Sequence, residues 1–189
     1  MEITVVVMAY DEAAHLAAAD SAIRVAHHGA NRGLGGVYRT GFAEARGDLV
    51  TFFPADGQFP ASILGDFIRA AGGAKLVLGH VPDRRGRPLA ARALSAAERL
   101  LYRALFGRLP RFQGILMFRR ALLDRVTLTS EGRGWAVLLE FVIRSARAGR
   151  TVAHVATPLR PRAAGVSKVN DLRTIRSSLA QVLALRARL

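Results

Sequence analysis

The stretch LVTFFPADGQFPASIL, Leu49 to Leu64, holds the residues whose types and spacing come nearest to a metal site. Asp56 stands there between Ala55 and Gly57, with Gln58 two positions on. A hard cation such as Mg²⁺ or Mn²⁺ takes oxygen ligands, often few from protein and the rest from phosphates and water. The Asp56 carboxylate and the Gln58 amide oxygen are donors of that kind. Two positions apart at a strand end, an extended backbone points both the same way. The same residues also suit an Asp-Gly turn in which Asp56 accepts backbone N–H groups. Residue types alone leave both readings open.

Other segments suggest anion binding. NRGLGG, Asn31–Gly36, offers close backbone approach and precedes a helix, whose N-terminus favours anions. It is neither a P-loop nor a dinucleotide fingerprint. Arg84, Arg85, Arg87 and Arg92 cluster around one loop and the start of its helix. Arg160, Arg162 and Lys168 occupy another loop, with Gly165 and Ser167 between them. Such loops clamp phosphate through bidentate side-chain and backbone hydrogen bonds. Glu140 interrupts the apolar helix WAVLLEFVI, where a carboxylate needs a partner. It either orients an arginine or faces the site. His27 and His28 lack metal-ligand spacing with other histidines, and Trp135 and the phenylalanines read as core.

These residues must be positioned by alternating strands and helices. Ile3–Tyr10 is a continuous β-branched run, the mark of a strand buried on both faces. DEAAHLAAAD is helix-prone, and Ala22–His28 reads as a second strand. VYRTGFAEARG reads as a helix stopped by Gly47, and LVTFFPA as the third strand. Pro60 suits the first turn of a helix through ASILGDFIRAAGG. AKLVLGHV is a fourth strand, LAARALSAAERLLYRALFG a long helix, and GILMFRRALLDRV a strand running into a helix. WAVLLEFVIRSARAGR is a helix closed by Gly149, TVAHVATPL a last strand, and LRTIRSSLAQVLALRARL an amphipathic helix. This alternation predicts an α/β fold with a mostly parallel sheet flanked by helices. Ligands of such sheets bind outside the carboxyl ends of the strands. AYDE, PADGQ and HVPDRR all fall at such ends.

The totals bound the rest. A chain of 189 residues, 51% hydrophobic, suits one domain with a sizeable core. It has no cysteine, hence no disulfide framework or thiolate metal site. No segment resembles a signal peptide, and no apolar run approaches about 20 residues. Basic residues number 28 against 14 acidic, a net charge of +14, and all the basic residues but Lys75 and Lys168 are arginines. That excess favours polyanionic partners, namely nucleotide diphosphates, lipid phosphates, an anionic membrane surface or nucleic acid. A G- and C-rich coding sequence would raise the arginine count equally, without explaining where particular arginines sit. Nucleic acid is not expected as a partner, because no recognised binding motif is present.

In order along the chain, the motifs resemble those of family 2 glycosyltransferases. VVVMAYDEAAHL resembles the opening V-I-P-A-Y-N-E-x-x-x-L. NRGLGGVYRTGFAEARGDLVTFFPADGQFP resembles N-x-G-L-G-x-A-x-x-x-G-x-x-x-A-x-G-D followed by D-A-D-G-Q-x-x-P. FQGILMFRRALL is similar to Q-G-x-x-x-F-R-R, and LLEFVIRSARAGRTVAHVATPLRPRAAGVSK to an E-L-x-x-R-A block ending in R-x-x-G-x-S-K. The likeness is strongest to the dolichyl-phosphate mannosyltransferase-like branch. It implies a single GT-A, Rossmann-like domain over 1–189. It also implies metal-assisted transfer of a sugar from a nucleotide sugar, with inversion, to a polyprenyl phosphate or other lipid or glycan acceptor. The setting would be cytoplasmic, at the inner membrane face. By motif, Ala9, Tyr10, Asp11, Glu12, Asn31 and Gly35 would lie at the nucleotide sugar. Asp56 and Gln58 would meet the Mg²⁺ or Mn²⁺ and the diphosphate. Arg85, Arg92, Ser95, Arg162, Ser167 and Lys168 would surround the phosphates of donor and acceptor. Asp56, Arg119 and Glu140 would form the catalytic set. A phosphate acceptor, with a second pKa of about 6, needs no strong protein base. The enzyme must instead hold two anions together, which requires arginine and metal.

The chain departs from the pattern. The helix, the strand ending in D-D-G-S and the next helix are replaced by DEAAHLAAADS alone, which predicts one strand fewer. Pro54 stands for the first Asp of D-A-D, and Arg111 for an Asp before x-Q-G. The alternative is therefore a non-catalytic relative that binds phosphates, lipid or a partner. The basic tail, with Leu172, Ile175, Leu179, Val182 and Leu183 on one side, suits a membrane surface, a homodimer or packing on its own domain.

Overall fold

The computed structural model of the chain describes residues 1–8, 23–82, 89–158, 160 and 172–189. Five short apolar segments form one sheet: β1 (Ile3–Met8), β2 (Leu49–Pro54), β3 (Leu76–His80), β4 (Leu116–Arg119) and β5 (Val152–Ala156). Their order is β1-β2-β4-β3-β5. β1 pairs in parallel with β2, and β3 with β5, while β4 runs antiparallel between β2 and β3. Four strands therefore deliver their carboxyl ends to one edge of the sheet. The predicted α/β class with a mostly parallel sheet is the one observed.

Among the described residues five helices flank the sheet: α1 (Gly33–Glu44), α2 (Ile63–Ala70), α3 (Leu89–Phe106), α4 (Ala136–Arg147) and α5 (Leu172–Arg188). The alternation of strand side chains divides the core into two layers. Val50, Phe52, Leu116 and Phe118 pack under Tyr38 of α1 and Phe141 of α4. Leu49, Val77, Ile115 and Met117 pack against Ile63 and Phe67 of α2. Phe118 and Phe141 meet with ring centroids 4.6 Å apart. Each such fully buried side chain contributes roughly 1.5–3 kcal/mol through removal from water. A third cluster, Phe106, Leu139, Ile143, Val182 and Leu185, joins α5 to α3 and α4.

The structure corrects several expected elements. Residues 23–28 form no strand; residues 24–28 line a cleft together with β1. Among the described residues β1 consequently pairs on one side only, and Val5 and Val7 are 42% and 47% exposed rather than buried. Hydrophobic content alone does not tell an edge strand from a central one. Helix α1 begins at Gly33, inside the glycine-rich segment rather than after it. Pro60 precedes α2, and its carbonyl accepts a hydrogen bond from Ile63 N. After β4 the chain runs into a 3₁₀ helix, Arg120–Arg125, rather than an α-helix. The predicted helix DEAAHLAAAD, most of PDRRGRP and all of RPRAAGVSKVND after Arg160 lie outside the described residues.

Candidate functional site

The candidate site is built on the carboxyl edge of the sheet. β2 ends at Pro54 and the chain turns through Asp56 and Gly57. Gly57 has φ +69°, a left-handed conformation that suits glycine. Asp56 Oδ1 accepts a hydrogen bond from Gln58 N at 3.2 Å. The carboxylate thus makes the turn contact read from the sequence while staying half-buried at the strand end. Gln58 ties this turn to the start of the basic loop after β5. Its carbonyl accepts from Arg160 N at 2.9 Å, and its Nε2 donates to Arg160 O at 3.3 Å. The turn is thereby fastened to Arg160, 102 residues away in sequence.

Neighbouring strand ends complete this edge. Gln113 N, just before β4, donates to Gly79 O at 2.8 Å, and Thr157 N, just after β5, donates to His80 O at 2.8 Å. Among the described residues His80 Nδ1 and Thr157 Oγ1 are buried without a hydrogen-bond partner. Buried polar atoms are normally satisfied, so these two mark a place for a polar ligand or water. Arg160 was expected as part of a phosphate-clamping loop, whereas His80, Thr157 and Gln113 were not among the site residues expected from the sequence. Their signal was position alone, since each stands where a strand meets this edge.

Beside the edge runs a cleft of about 1150 Å³, walled by β1, residues 24–34 and α1. Asn31 lies in its wall, and its Oδ1 accepts from Gly33 N at 2.8 Å and from Arg133 Nη2 at 3.3 Å. Gly35 is buried against a different neighbour. Its N–H donates to Arg133 O at 2.9 Å, and a Cβ there would fall 2.0 Å from Gly132 O. Gly33 and Gly35 therefore admit the 132–134 loop.

The expected catalytic set is not brought together. Arg119 ends β4 opposite Leu49, the first residue of β2, and Nη2 donates to Ala71 O at 2.9 Å. Asp56 follows the other end of β2, roughly 17 Å or more away at about 3.3 Å per residue. Glu140 is fully buried, with its oxygens engaged by Thr129 N (3.0 and 3.1 Å), Thr129 Oγ1 (2.9 Å), Ser130 N (2.8 Å) and Arg144 Nε (2.8 Å). Burial alone would raise its pKa. Hydrogen bonds from Ser130, Arg144 and the Thr129 backbone outweigh that and hold the carboxyl below the ordinary carboxylate range. Glu140 is a fastener between α4 and the loop before it, not a group free to act on a substrate. Arg92 and Ser95 stand one turn apart on α3, Arg92 exposed and Ser95 half-buried. Ala9, Tyr10, Asp11, Glu12, Arg85, Arg162, Ser167 and Lys168 lie outside the described residues.

Among the described residues no three His, Asp or Glu side chains group to hold a metal ion. The donors at the turn, one carboxylate and one amide oxygen, fit Mg²⁺ or Mn²⁺ as a minority of its shell. A bound diphosphate and water would supply the remainder.

A mostly parallel sheet flanked by helices, with the Asp56 turn and Arg160 at its carboxyl edge, is a Rossmann-like, GT-A type of domain. The profile of glycosyl transferase family 2 matches residues 8–129, more than half of the chain, and the chain belongs to that family. No curated protein matches it. Among solved structures it is similar to glucosyl-3-phosphoglycerate synthase from Mycobacterium tuberculosis. With the UDP complex the TM-score is 0.61 at 17% identity, over 98% of this chain and 68% of that one. With the Mg²⁺ and UDP complex it is 0.55 at 22% identity, over 82% and 55%. With the Mn²⁺, UDP-glucose and phosphoglyceric acid complex it is 0.53 at 21% identity, over 82% and 55%. The chain thus spans about 55% of the length of the second and third of these. At such identities the likeness is one of fold.

Proposed function

We propose that the protein transfers a sugar from a nucleotide sugar to a phosphate-bearing acceptor on the carboxyl edge of its sheet. The observation that carries this reading is the coupling of Asp56 and Gln58 to Arg160, which sets a metal-type turn against a basic loop in a member of family 2. Asp56 and Gln58 would hold Mg²⁺ or Mn²⁺, whose charge neutralises a leaving diphosphate. Asn31 and the Ala9–Glu12 segment would border the nucleotide. Arg92 and Ser95 on α3, with Arg85, Arg162, Ser167 and Lys168, would hold the acceptor phosphate. An ionised phosphate is its own nucleophile, so the buried, fully bonded state of Glu140 is no obstacle.

The similar solved structures carry UDP, UDP-glucose and phosphoglyceric acid, which supports a uridine donor and a phosphate acceptor. The motif order supports the finer form of this reading: a dolichyl-phosphate mannosyltransferase-like enzyme with a polyprenyl phosphate acceptor at the cytoplasmic membrane face. No helix among the described residues is long and apolar enough to cross a membrane, so such contact would be peripheral. The protein should be incubated with Mn²⁺ or Mg²⁺, a panel of UDP- and GDP-sugars, and either phosphoglycerate or polyprenyl phosphate. Nucleotide release with a glycosylated product is expected for one pair, and Asp56→Ala should reduce it about 100-fold or more, as loss of a positioned charge-stabilising group does.

A second reading is favoured by Pro54 and the two-donor turn: a non-catalytic relative that binds phosphates, lipid or a partner. Calorimetry with UDP separates the two. Mn²⁺-dependent binding lost in Asp56→Ala supports the enzyme, and metal-independent binding without turnover supports the second reading.

A further inference from the structure

The opposite edge of the sheet holds a second cavity, of about 380 Å³, within the range of about 300–1,000 Å³ usual for ligand pockets. Four cations come to it from four places in the chain. Lys75 precedes β3, Arg119 ends β4, Arg125 ends the 3₁₀ turn and Arg150 precedes β5. The other lining residues are small, apolar or neutral, and no carboxylate is among them. Asp48, an acid at this end of the sheet, lies outside the lining and accepts from Glu2 N at 3.2 Å.

Two further features separate this cavity from an ordinary charged surface. Arg119 and Arg150 are partly buried, whereas Lys75 and Arg125 are exposed at the rim. Among the described residues Arg150 Nε is buried with no hydrogen-bond partner, a rare condition for a guanidinium donor. Converging cations in a concave, partly dry wall repel one another more strongly than on an open surface. An anion with several acceptor oxygens would relieve the repulsion and engage the unused donors together.

We propose that this cavity binds a small, soluble phosphate ester or diphosphate, at a site separate from the one where sugar transfer is assigned. The proposal does not depend on that assignment, because it rests on residues at the other end of β2 and β4. The small alanine and glycine lining leaves room for a compact ligand and offers no greasy channel for an acyl chain.

The test is calorimetric titration of the full chain with inorganic pyrophosphate and with glycerol 3-phosphate, at fixed ionic strength and without divalent metal. Saturable binding is expected. In the double variant Arg119→Gln, Arg150→Gln it should weaken by about tenfold or more, the scale of a lost charge-assisted hydrogen bond, and in Asp56→Ala it should be unchanged. Should the double variant not fold, amide NMR shifts of the unaltered protein decide. Pyrophosphate should move Lys75, Arg119 and Thr151 and leave Gln58 in place. Absence of saturable binding, equal loss in Asp56→Ala, or shifts confined to the carboxyl edge would overturn the proposal. Binding seen only with phosphatidylcholine vesicles containing phosphatidate would overturn a soluble ligand.

Discussion

Glu140 shows most directly what a single residue does here. It is a fully buried carboxylate that accepts bonds from the Thr129 and Ser130 backbone and from Arg144. Glu140→Gln keeps one acceptor oxygen but takes the counter-charge from Arg144 and sets an amide NH2 against a backbone donor, so it should cost about 3 kcal/mol of folding stability in denaturant titrations. The pH dependence follows from the lowered pKa. A carboxyl more acidic in the folded than in the unfolded state stabilises the fold fully above its unfolded value. That contribution is lost as pH falls through the folded value. Stability should therefore decline in acid below the ordinary carboxylate range, and less steeply in Glu140→Gln than in the unaltered chain. The sequence made part of this legible. A carboxylate inside WAVLLEFVI needs a partner, and Arg144 lies one helical turn on. Thr129 and Ser130 were not legible, because no local pattern says which loop folds back onto a helix. For the same reason Asp56 and Gln58 could be picked out at a strand end, whereas their tie to Arg160 could not. It joins residues 102 positions apart, and on the Arg160 side it uses only backbone atoms, which every residue possesses.

At the scale of elements, α5 separates what periodicity tells from what packing decides. Its apolar residues occupy more than one stripe. The structure buries Val182 and Leu185 against Phe106, Leu139 and Ile143, and leaves Leu179 and Leu183 41% and 49% exposed. Gln181 anchors the same face by accepting from Gly134 N at 3.0 Å. Of the stripe read from the sequence, Val182 thus faces inward and Leu179 and Leu183 outward. The helix is held by its own domain, as one of the three expected arrangements had it. Leu185→Ala should destabilise the protein by about 2–5 kcal/mol, and Leu183→Ser by no more than about 0.5 kcal/mol, in paired denaturant titrations. A large cost at Leu183 would mean that its exposed side is covered in solution. The 3.6-residue repeat fixes that a helix forms, but the choice between neighbouring stripes belongs to α3 and α4.

For the molecule as a whole, alternation of strands and helices was enough to read the class of fold, since parallel strands need helical crossovers. The insertion of β4, reversed, between β2 and β3 was not readable, because short apolar strands carry no mark of their neighbours. That reversal also gives the sheet two chemically distinct edges. One carries the Asp56 turn, and the other carries Arg119 and the cationic cavity. The open side of β1 has a colloidal consequence. An edge strand showing Val5 and Val7 is a template for other copies, and natural proteins guard such edges with charge. In this chain the guard is its net charge of +14, a repulsion acting over a Debye length of about 10 Å at 0.1 M salt. Added salt screens that repulsion while leaving the edge intact. Light scattering from a purified sample should therefore rise with sodium chloride, and Val7→Lys should suppress the rise. The protein would keep best in dilute buffer, the opposite of what its arginine content suggests to anyone seeking to strip away bound polyanions.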